Sequence, residues 1–248
     1  MLKSNVYVGV TKSESHKGHL ISKLSEADLE IILPESNKIR SRTVVSRSRA
    51  RATGKYPSWK IGRMIQWESH NELNAFRLLD ASSAAIAYQE QPLMLRYVLN
   101  GESQIHYPDA LVEFVDGREL WEIKRKSDAI KPAFADRTRF LEAALPQYGY
   151  TYRMVIAEDL AKEPRLSNVI KLLKYGREPV NDLAREHVRQ ILLTAPSVCW
   201  ASASNGDLGP CGREVLSRLV LEGVLSCDVE QPLGATTCFV STRPANGA

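Results

Sequence analysis

Long apolar runs are absent from this 248-residue chain. No stretch approaches the roughly 18 apolar residues of a membrane-spanning helix. Residues 1–20 also lack the apolar segment that a secretory signal peptide needs. We therefore expect a cytoplasmic protein that has no membrane partner.

Cysteine is scarce as well. The four cysteines, Cys199, Cys211, Cys227 and Cys238, all lie in the last fifty residues, without a CxxC pair or a nearby histidine. This spacing does not match zinc motifs, and a small disulfide scaffold would need more cysteine per residue. We interpret the four side chains as buried, unreactive thiols.

Signatures of several enzyme classes are also missing. The sequence has no glycine-rich phosphate loop and no Ser/His/Asp or Cys/His arrangement. The five histidines show no ligand spacing beyond one weak HxxH; they are His16, His19, His70, His106 and His187. No motif therefore points to a nucleotide-dependent enzyme or to a triad hydrolase.

Positive charge is concentrated in one segment. Between Lys38 and Arg63 there are nine basic residues and no acidic one, whereas the other residues carry 24 basic and 29 acidic side chains, a net −5. Arginine exceeds lysine in this segment, and Tyr56 and Trp59 are interleaved, as phosphate contacts and base stacking would require. A solvated flexible loop is the alternative. The predicted DNA contacts are Arg47, Arg49, Arg51, Lys55, Lys60, Arg63 and, further along the chain, Lys126.

The middle of the chain has the pattern of a mixed α/β domain. Helical spacing predicts a first helix over 64–81, and a split strand pattern follows it around Pro92. The Asp116-Gly117 dipeptide predicts a β-hairpin between two strands. A helix over 133–149 and a strand over 150–160 complete the pattern.

A second unit is predicted near the end of the chain. Asn181 is a candidate N-cap for one helix, a second helix is expected over 212–226, and a short hairpin is expected over 227–242. Helices followed by a hairpin suggest a winged helix. We therefore expect a basic N-terminal extension at 1–60, an α/β domain at 61–178 and a winged-helix-like domain at 179–248.

Three residues of the hairpin carry the chemistry that the sequence suggests. Asp109 follows Pro108 at the start of one strand, and Glu122 and Lys124 lie two positions apart on the next, so their side chains share a face. Two carboxylates bind hard divalent cations, and a lysine beside them can stabilise charge on a phosphate. The alternative is a turn-capping aspartate beside an exposed ion pair.

A third carboxylate is expected from the predicted helix. Glu72 lies on its apolar stripe, where an unpaired acidic side chain is costly. Glu68, one turn earlier on a more polar face, is the competing candidate, and we favour Glu72. Gln89, Glu90 and Gln91 form a further polar cluster, which is either close to the site or a solvated strand entry.

The order of Pro108-Asp109, then Glu122, then Lys124 resembles the PD-(D/E)xK motif of the restriction-endonuclease-like superfamily. The segments SHNELNAF, YPDALVEF and WEIKRK more closely resemble TnsA, the endonuclease subunit of heteromeric transposases, over residues 43–175. The resemblance implies a mixed sheet flanked by helices and places the family's catalytic roles on Glu72, Asp109 and Lys124. Some members have glutamine where this chain has Glu122.

The resemblance also implies a function. TnsA-like proteins are bacterial, DNA-associated nucleases that cut the 5′ ends of a transposon on the non-transferred strand during cut-and-paste transposition. They use one or two Mg²⁺ ions, for which Mn²⁺ can substitute, and here Glu72, Asp109 and Glu122 would be the ligands. The implied partners are transposon-end DNA, a TnsB-like transposase and a TnsC-like AAA+ regulator.

Two other functions stay open on the sequence. One is a stand-alone restriction or repair endonuclease on the same fold. The other is a non-catalytic DNA-binding protein that uses the winged helix and the basic segment.

Overall fold

A computed structural model describes residues 10–11, 29–36, 38–41 and 52–242. The strands are β1 (Val10–Thr11), β2 (Leu29–Ile32), β3 (Gly54–Ser58), β4 (Arg63–Trp67), β5 (Ala87–Glu90), β6 (Met94–Leu99), β7 (Glu102–His106), β8 (Ala110–Phe114), β9 (Gly117–Lys124), β10 (Thr151–Ile156), β11 (Val198–Cys199), β12 (Leu225–Ser226) and β13 (Cys238–Ser241). The helices are α1 (His70–Ala81), α2 (Lys126–Ala129), α3 (Pro132–Ala144), α4 (Ala157–Leu160), α5 (Arg165–Gly176), α6 (Asp182–Thr194), α7 (Trp200–Asn205) and α8 (Gly212–Leu221). Within the described ranges, no helix has the length and apolar character needed to cross a membrane.

The chain has a mixed α/β fold that divides into two compact units. The first unit comprises Met1–Lys55, Ile65–Ser69 and Ala87–Ala157, and the second comprises Tyr56–Met64, His70–Ile86 and Glu158–Ala248. Helix α1 and the residues from Glu158 onward therefore group with the second unit, whereas the sequence suggested boundaries near residues 60 and 178. Those domain boundaries stay a prediction.

The first unit contains two four-stranded sheets, ordered β1-β2-β6-β7 and β10-β9-β8-β5. In the second of these, β5, β8 and β9 are antiparallel and β10 runs parallel to β9. The expected hairpin is confirmed, because β8 and β9 pair from Ala110 opposite Trp121 to Phe114 opposite Gly117. Leu95, Leu120 and Leu141 are fully buried and belong to one apolar core.

Two strand boundaries follow from backbone chemistry. The turn between β6 and β7 has Asn100 and Gly101 at φ 54° and 78°, as a type I′ hairpin turn requires. Strands β7 and β8 are separated by Tyr107, Pro108 and Asp109 and belong to different sheets. A proline cannot donate a hydrogen bond to a strand ladder, which is consistent with the break at Pro108.

The predicted first helix is wrong at its N-terminal end. It begins at His70, and the six residues from Met64 to Ser69 are the last four residues of β4 and a two-residue bend. Met64 is 48% exposed whereas Ile65 is fully buried, the alternation of a strand. Glu68 therefore lies in the bend and not on a helix.

The second unit contains a three-stranded sheet, ordered β11-β13-β12, with antiparallel pairs. Trp200, Leu216 and Phe239 lie in its apolar core. The predicted cap is confirmed, because the Asn181 side chain accepts a hydrogen bond from Ala184 N–H at the start of α6. The sequence did not predict α5 or α7, although Leu166, Val169 and Leu173 of α5 have helical spacing.

The cysteines do not match the expectation of burial. Cys211 and Cys238 are exposed, and Cys199 and Cys227 are partly buried. Cys199 and Cys238 are directly opposite each other on β11 and β13, with their sulfur atoms 3.6 Å apart. Burial raises the pKa of the Cys227 thiol to about 11, with a further contribution from Asp228.

Asp80 anchors the residues that precede β4 within the second unit. This fully buried carboxylate accepts hydrogen bonds from Tyr56 OH (2.8 Å), Ser58 Oγ (2.5 Å) and Trp59 N–H (3.3 Å). Lys60 Nζ donates to two main-chain carbonyls after α1, those of Ser82 and Ala85. The residues from Tyr56 to Lys60 are thus tied to the end of α1.

Replacing Asp80 by alanine should lower the free energy of unfolding by about 3 kcal/mol or more, because several buried donors would lose their acceptor. Urea unfolding followed by tryptophan fluorescence measures the loss. Asp207→Ala, at an exposed position of the same unit, is the control and should change the value by less than about 0.5 kcal/mol. Equal losses in the two variants would contradict the anchoring role.

Candidate active site

The β8–β9 hairpin brings Asp109, Glu122 and Lys124 together. Asp109 lies just before β8, where its N–H donates to Trp121 O (2.9 Å) and its Oδ2 accepts from Ile123 N–H (2.7 Å). Glu122 and Lys124 are two residues apart on β9 and therefore share a face. The main chain of β9 thus fixes Asp109 beside the two side chains that the sequence grouped with it.

The ammonium of Lys124 lies between the two carboxylates. Its Nζ is 2.7 Å from Glu122 Oε1 and 4.0 Å from Asp109 Oδ2. Burial alone would lower the pKa of Lys124, but the charges of Asp109 and Glu122 outweigh it and raise the pKa above its ordinary value. Lys124 is therefore a cation at neutral pH.

Glu122 is more deeply buried than the sequence suggested. Its side chain is only 3% exposed, so the alternative of an exposed ion pair is wrong for this residue. Oε1 also lies 2.9 Å from Arg137 Nη2 of α3, and Oε2 lies 3.3 Å from His106 Nε2. A buried carboxylate is costly unless it is paired and hydrogen-bonded, and Lys124 and Arg137 meet that need at Oε1.

His106 and Arg137 are the site neighbours that the sequence did not indicate. Burial, together with the nearby charges of Arg137 and Lys124, lowers the pKa of His106 to about 3. The ring is therefore neutral at physiological pH, with Nε2 3.1 Å from Tyr152 OH. Burial raises the pKa of Tyr152, with a contribution from Glu122, so its hydroxyl stays protonated.

The carboxylate oxygens of Asp109 and Glu122 are of the type that a hard divalent cation prefers. Mg²⁺ is commonly held by one or two carboxylates and completed by waters and substrate phosphate. Asp109 and Glu122 supply two such groups, and Glu122 Oε2 accepts no hydrogen bond of good geometry from the part of the chain that the structure describes. Within that part, no group of three or more His, Cys, Asp or Glu side chains is arranged to hold a metal.

The two candidates for the third carboxylate belong to different units. Glu72 is buried on α1, in the second unit. Glu68 is partly buried in the bend after β4, in the first unit, which also contains Asp109.

The polar cluster at residues 89–91 holds the neighbouring segment in place. Glu90, 1% exposed, accepts from Arg40 Nη1 (2.7 Å) and Gln66 N–H (3.2 Å) through Oε1. Gln91 N–H donates to Asp109 O (3.0 Å), and Gln89 Nε2 donates to the carbonyl of Ile39 (2.5 Å). A main-chain hydrogen bond therefore joins the cluster to Asp109, and the cluster is not a solvated strand entry.

The structure places the predicted DNA contacts in different environments. Lys55 and Lys126 are exposed, and Arg63 is partly exposed. Lys60 is partly buried and bound to main-chain carbonyls, and burial lowers its pKa to about 8. The remaining three, Arg47, Arg49 and Arg51, lie outside the described residues.

The two aromatic residues of the basic segment are occupied within the second unit. Tyr56 is buried and its hydroxyl binds Asp80. Trp59 donates from Nε1 to the carbonyl of Asp80, and the guanidinium of Arg218 lies 4.5 Å from its ring centroid. These contacts weigh against base stacking by the two rings.

Comparison with known proteins identifies no family: no family model matches the chain, and no curated protein matches it. The chemistry of the site therefore carries the functional argument. Two carboxylates suited to a hard cation, beside a lysine that is firmly charged, can promote hydrolysis of a phosphodiester. The neutral His106 is not available as a general acid near pH 7, because its pKa is about 3.

His106 should make the protein sensitive to mild acid. Since its pKa is about 3 when folded and near 6.5 when unfolded, the unfolded chain binds the proton more readily. Its contribution to stability is complete above about pH 6.5 and is lost as the pH falls toward 3, by about 1.4 kcal/mol per pH unit. The difference in unfolding free energy between the wild type and His106→Gln, measured from pH 7 to pH 4, should shrink with that slope. His187→Gln, at an exposed position, should leave the pH profile unchanged, and parallel profiles for all three proteins would contradict the prediction.

Proposed function

We propose that the chain is a metal-dependent DNA endonuclease that cuts the 5′ ends of a transposon, on the non-transferred strand, together with a transposase. The observation that carries the proposal is the position of Lys124 Nζ, 2.7 Å from Glu122 and 4.0 Å from Asp109. The two carboxylates of the hairpin would hold a divalent metal, and the ammonium beside them would supply positive charge for the scissile phosphate.

Each residue has a defined task in this proposal. Asp109 and Glu122 would hold Mg²⁺, or Mn²⁺ in its place, and the bound ion would activate water and neutralise charge on the phosphate. Lys124 stabilises the negative charge that develops on the phosphate oxygens. The hydrogen bond from Ile123 N–H holds Asp109 in a fixed orientation, which limits the reorganisation needed on substrate binding.

The order of elements in the first unit supports a restriction-endonuclease-like fold. The candidate residues stand on the central hairpin of a four-stranded mixed sheet, and α3 connects β9 to the parallel strand β10. A sheet of this kind, with the acidic residue before one hairpin strand and the Glu-x-Lys on the other, is what the TnsA resemblance implies.

The second unit supports a winged-helix-like domain, with α6, β11, α7, α8, β12 and β13 in that order. Helix α8, the second helix that the sequence predicted, has six of its ten residues buried. Its Arg218 binds Glu222 (2.6 Å) and the carbonyl of Arg177 (2.9 Å). Base readout in a DNA groove needs exposed polar side chains, which α8 largely lacks. We therefore propose that this domain docks a TnsC-like AAA+ regulator and that a TnsB-like transposase recognises the ends.

The deciding experiment uses a supercoiled plasmid that carries transposon ends, incubated with Mg²⁺ and the protein, without and with the transposase and ATPase. Strand cleavage at the 5′ ends should be weak with the protein alone and strong with its partners. Asp109→Ala and Lys124→Ala should reduce it by more than about 100-fold, since each removes a group assigned to the reacting phosphate or its metal. Glu113→Ala, at an exposed position on β8, is the matched control and should cleave normally.

Three results would change the proposal. Wild-type cleavage by Asp109→Ala would remove the nuclease assignment. Efficient site-specific double-strand cleavage by the protein alone would favour a stand-alone restriction or repair enzyme. DNA binding without cleavage under any of these conditions would favour a non-catalytic winged-helix protein.

The same assay decides which carboxylate is the third ligand, by comparing Glu72→Gln with Glu68→Gln. We expect Glu72→Gln to behave like Asp109→Ala.

The basic segment should bind DNA through phosphates, and this predicts a steep salt dependence. The slope of log affinity against log salt should fall by about 0.9 for each lost phosphate contact. Deletion of residues 1–50 would also remove β2, whose Leu29 and Ile31 are buried in the core of the first unit. Substitution is therefore the cleaner test: the triple change Arg47→Gln, Arg49→Gln and Arg51→Gln should lower the slope by about 2 to 3.

The control for this measurement is Lys162→Ala. Lys162 is an exposed cation paired with Asp159 outside the basic segment, and its removal should leave the slope unchanged. An unchanged slope in the triple variant would mean that the three arginines do not contact phosphate.

A further inference from the structure

We infer that Arg137 is the permanent counter-ion of Glu122 and thereby a positioning residue of the candidate active site, which leaves Lys124 free to act on substrate. The pairing of Arg137 with Glu122 stands on the geometry alone. The consequence for Lys124 rests on the nuclease function proposed above.

Lys124 and Arg137 both contact the same carboxylate oxygen of Glu122. Glu122 Oε1 lies 2.7 Å from Lys124 Nζ and 2.9 Å from Arg137 Nη2. The Glu122 side chain is 3% exposed and the Arg137 side chain is 20% exposed, so water screens the pair only weakly. Among buried ion pairs, removal of one partner is strongly destabilising because it leaves the other charge without compensation.

The charges at the site balance only when Arg137 is included. Asp109 and Glu122 are two negative charges, and Lys124 and Arg137 are two positive charges within their ion-pair cluster. His106 also faces Glu122, but it lies 3.3 Å from Oε2, whereas Lys124 and Arg137 both contact Oε1. If Lys124 moves toward a phosphate, Arg137 is therefore the cation that keeps Glu122 ionised and in place.

Arg137 is better suited than Lys124 to this constant role. Its guanidinium lies 4.9 Å from the ring centroid of Phe134, one turn earlier on α3, and this contact restricts its orientation. An arginine keeps its charge at all relevant pH values, and its planar fork loses less freedom for each hydrogen bond than a lysine does. Lys124 Nζ is 2.7 Å from Glu122, but a lysine ammonium is a single point charge on a flexible stem and can turn to another anion.

The inference is tested first by a double-mutant cycle that needs no nuclease activity. Thermal unfolding is measured for the wild type, Arg137→Met, Glu122→Gln and the double variant, all without metal. Arg137→Met should lower Tm by about 5 °C in the wild type. The Glu122→Gln background has no carboxylate at position 122 for Arg137 to compensate. In that background the same change should lower Tm by less than about 2 °C. Equal losses in both backgrounds would show that Arg137 acts only through packing and would overturn the inference.

The second measurement is the rate of plasmid cleavage with partners and Mg²⁺. Arg137→Met should lower kcat by about tenfold or more with little change in KM, because Lys124 is then retained by Glu122. Arg137→Lys, which restores the charge without the fork, should recover part of the loss and also serves if Arg137→Met does not fold. The matched control is Arg139→Met, on the same helix but exposed and paired with Asp136; it should leave both Tm and kcat unchanged.

The two measurements separate the inference from the proposed function. A kcat equal to that of the wild type in Arg137→Met would overturn the positioning role even if the cycle shows coupling. A wild-type protein that cleaves no DNA would remove the nuclease proposal and with it the role for Lys124. The thermal cycle would still decide whether Arg137 is the counter-ion of Glu122.

Discussion

The candidate site depends on the burial of one carboxylate. Glu122 is 3% exposed on β9, where an ionised side chain is stable only if cations and hydrogen-bond donors surround it. The two cations come from separate elements, Lys124 from β9 itself and Arg137 from α3, and His106 at the end of β7 packs against the second oxygen. The register of the sheets and the packing of α3 must therefore be correct before the site can form. The antiparallel pairing of β8 with β9 positions Asp109 at the site, because it brings the Ile123 N–H within hydrogen-bond distance of Asp109 Oδ2.

This dependence explains which parts of the site could be predicted from sequence. Asp109, Glu122 and Lys124 could be grouped because a hairpin and the two-residue period of a strand are local features. Arg137 could not be grouped with them, because its position relative to Glu122 is set by the packing of α3. His106 could not be grouped with them either, because β7 belongs to the other sheet of the unit. The error at Met64–Ser69 has the same origin, because the burial of Ile65 in a strand outweighed a helical spacing that continued from α1.

The basic segment shows the limit of arguments from composition. Nine cations and two aromatic residues suggested a uniform DNA-binding arm, but a count of charges does not distinguish a solvated lysine from one that is bound to main-chain carbonyls. Tyr56, Trp59 and Lys60 secure the chain around Asp80, and Arg40 neutralises the buried Glu90. Among the described residues of the segment, Lys55 is exposed, whereas Lys60 is bound to main-chain carbonyls. Part of the positive charge of the segment therefore stabilises the fold.

Whether a charged side chain is exposed or bound within the protein also affects how a cleavage site would be chosen. In the second unit, Arg218 of α8 binds Glu222 and the carbonyl of Arg177, and its guanidinium lies over the ring of Trp59. This side chain is therefore occupied by contacts within the unit. Glu222 in turn binds Arg185 of α6 through two hydrogen bonds of 2.5 and 2.8 Å. These contacts join α8 to α6 and leave α8 with few polar groups for reading sequence in a groove. For the proposed nuclease, a second unit with few base-reading groups is consistent with a cleavage site chosen by partner proteins.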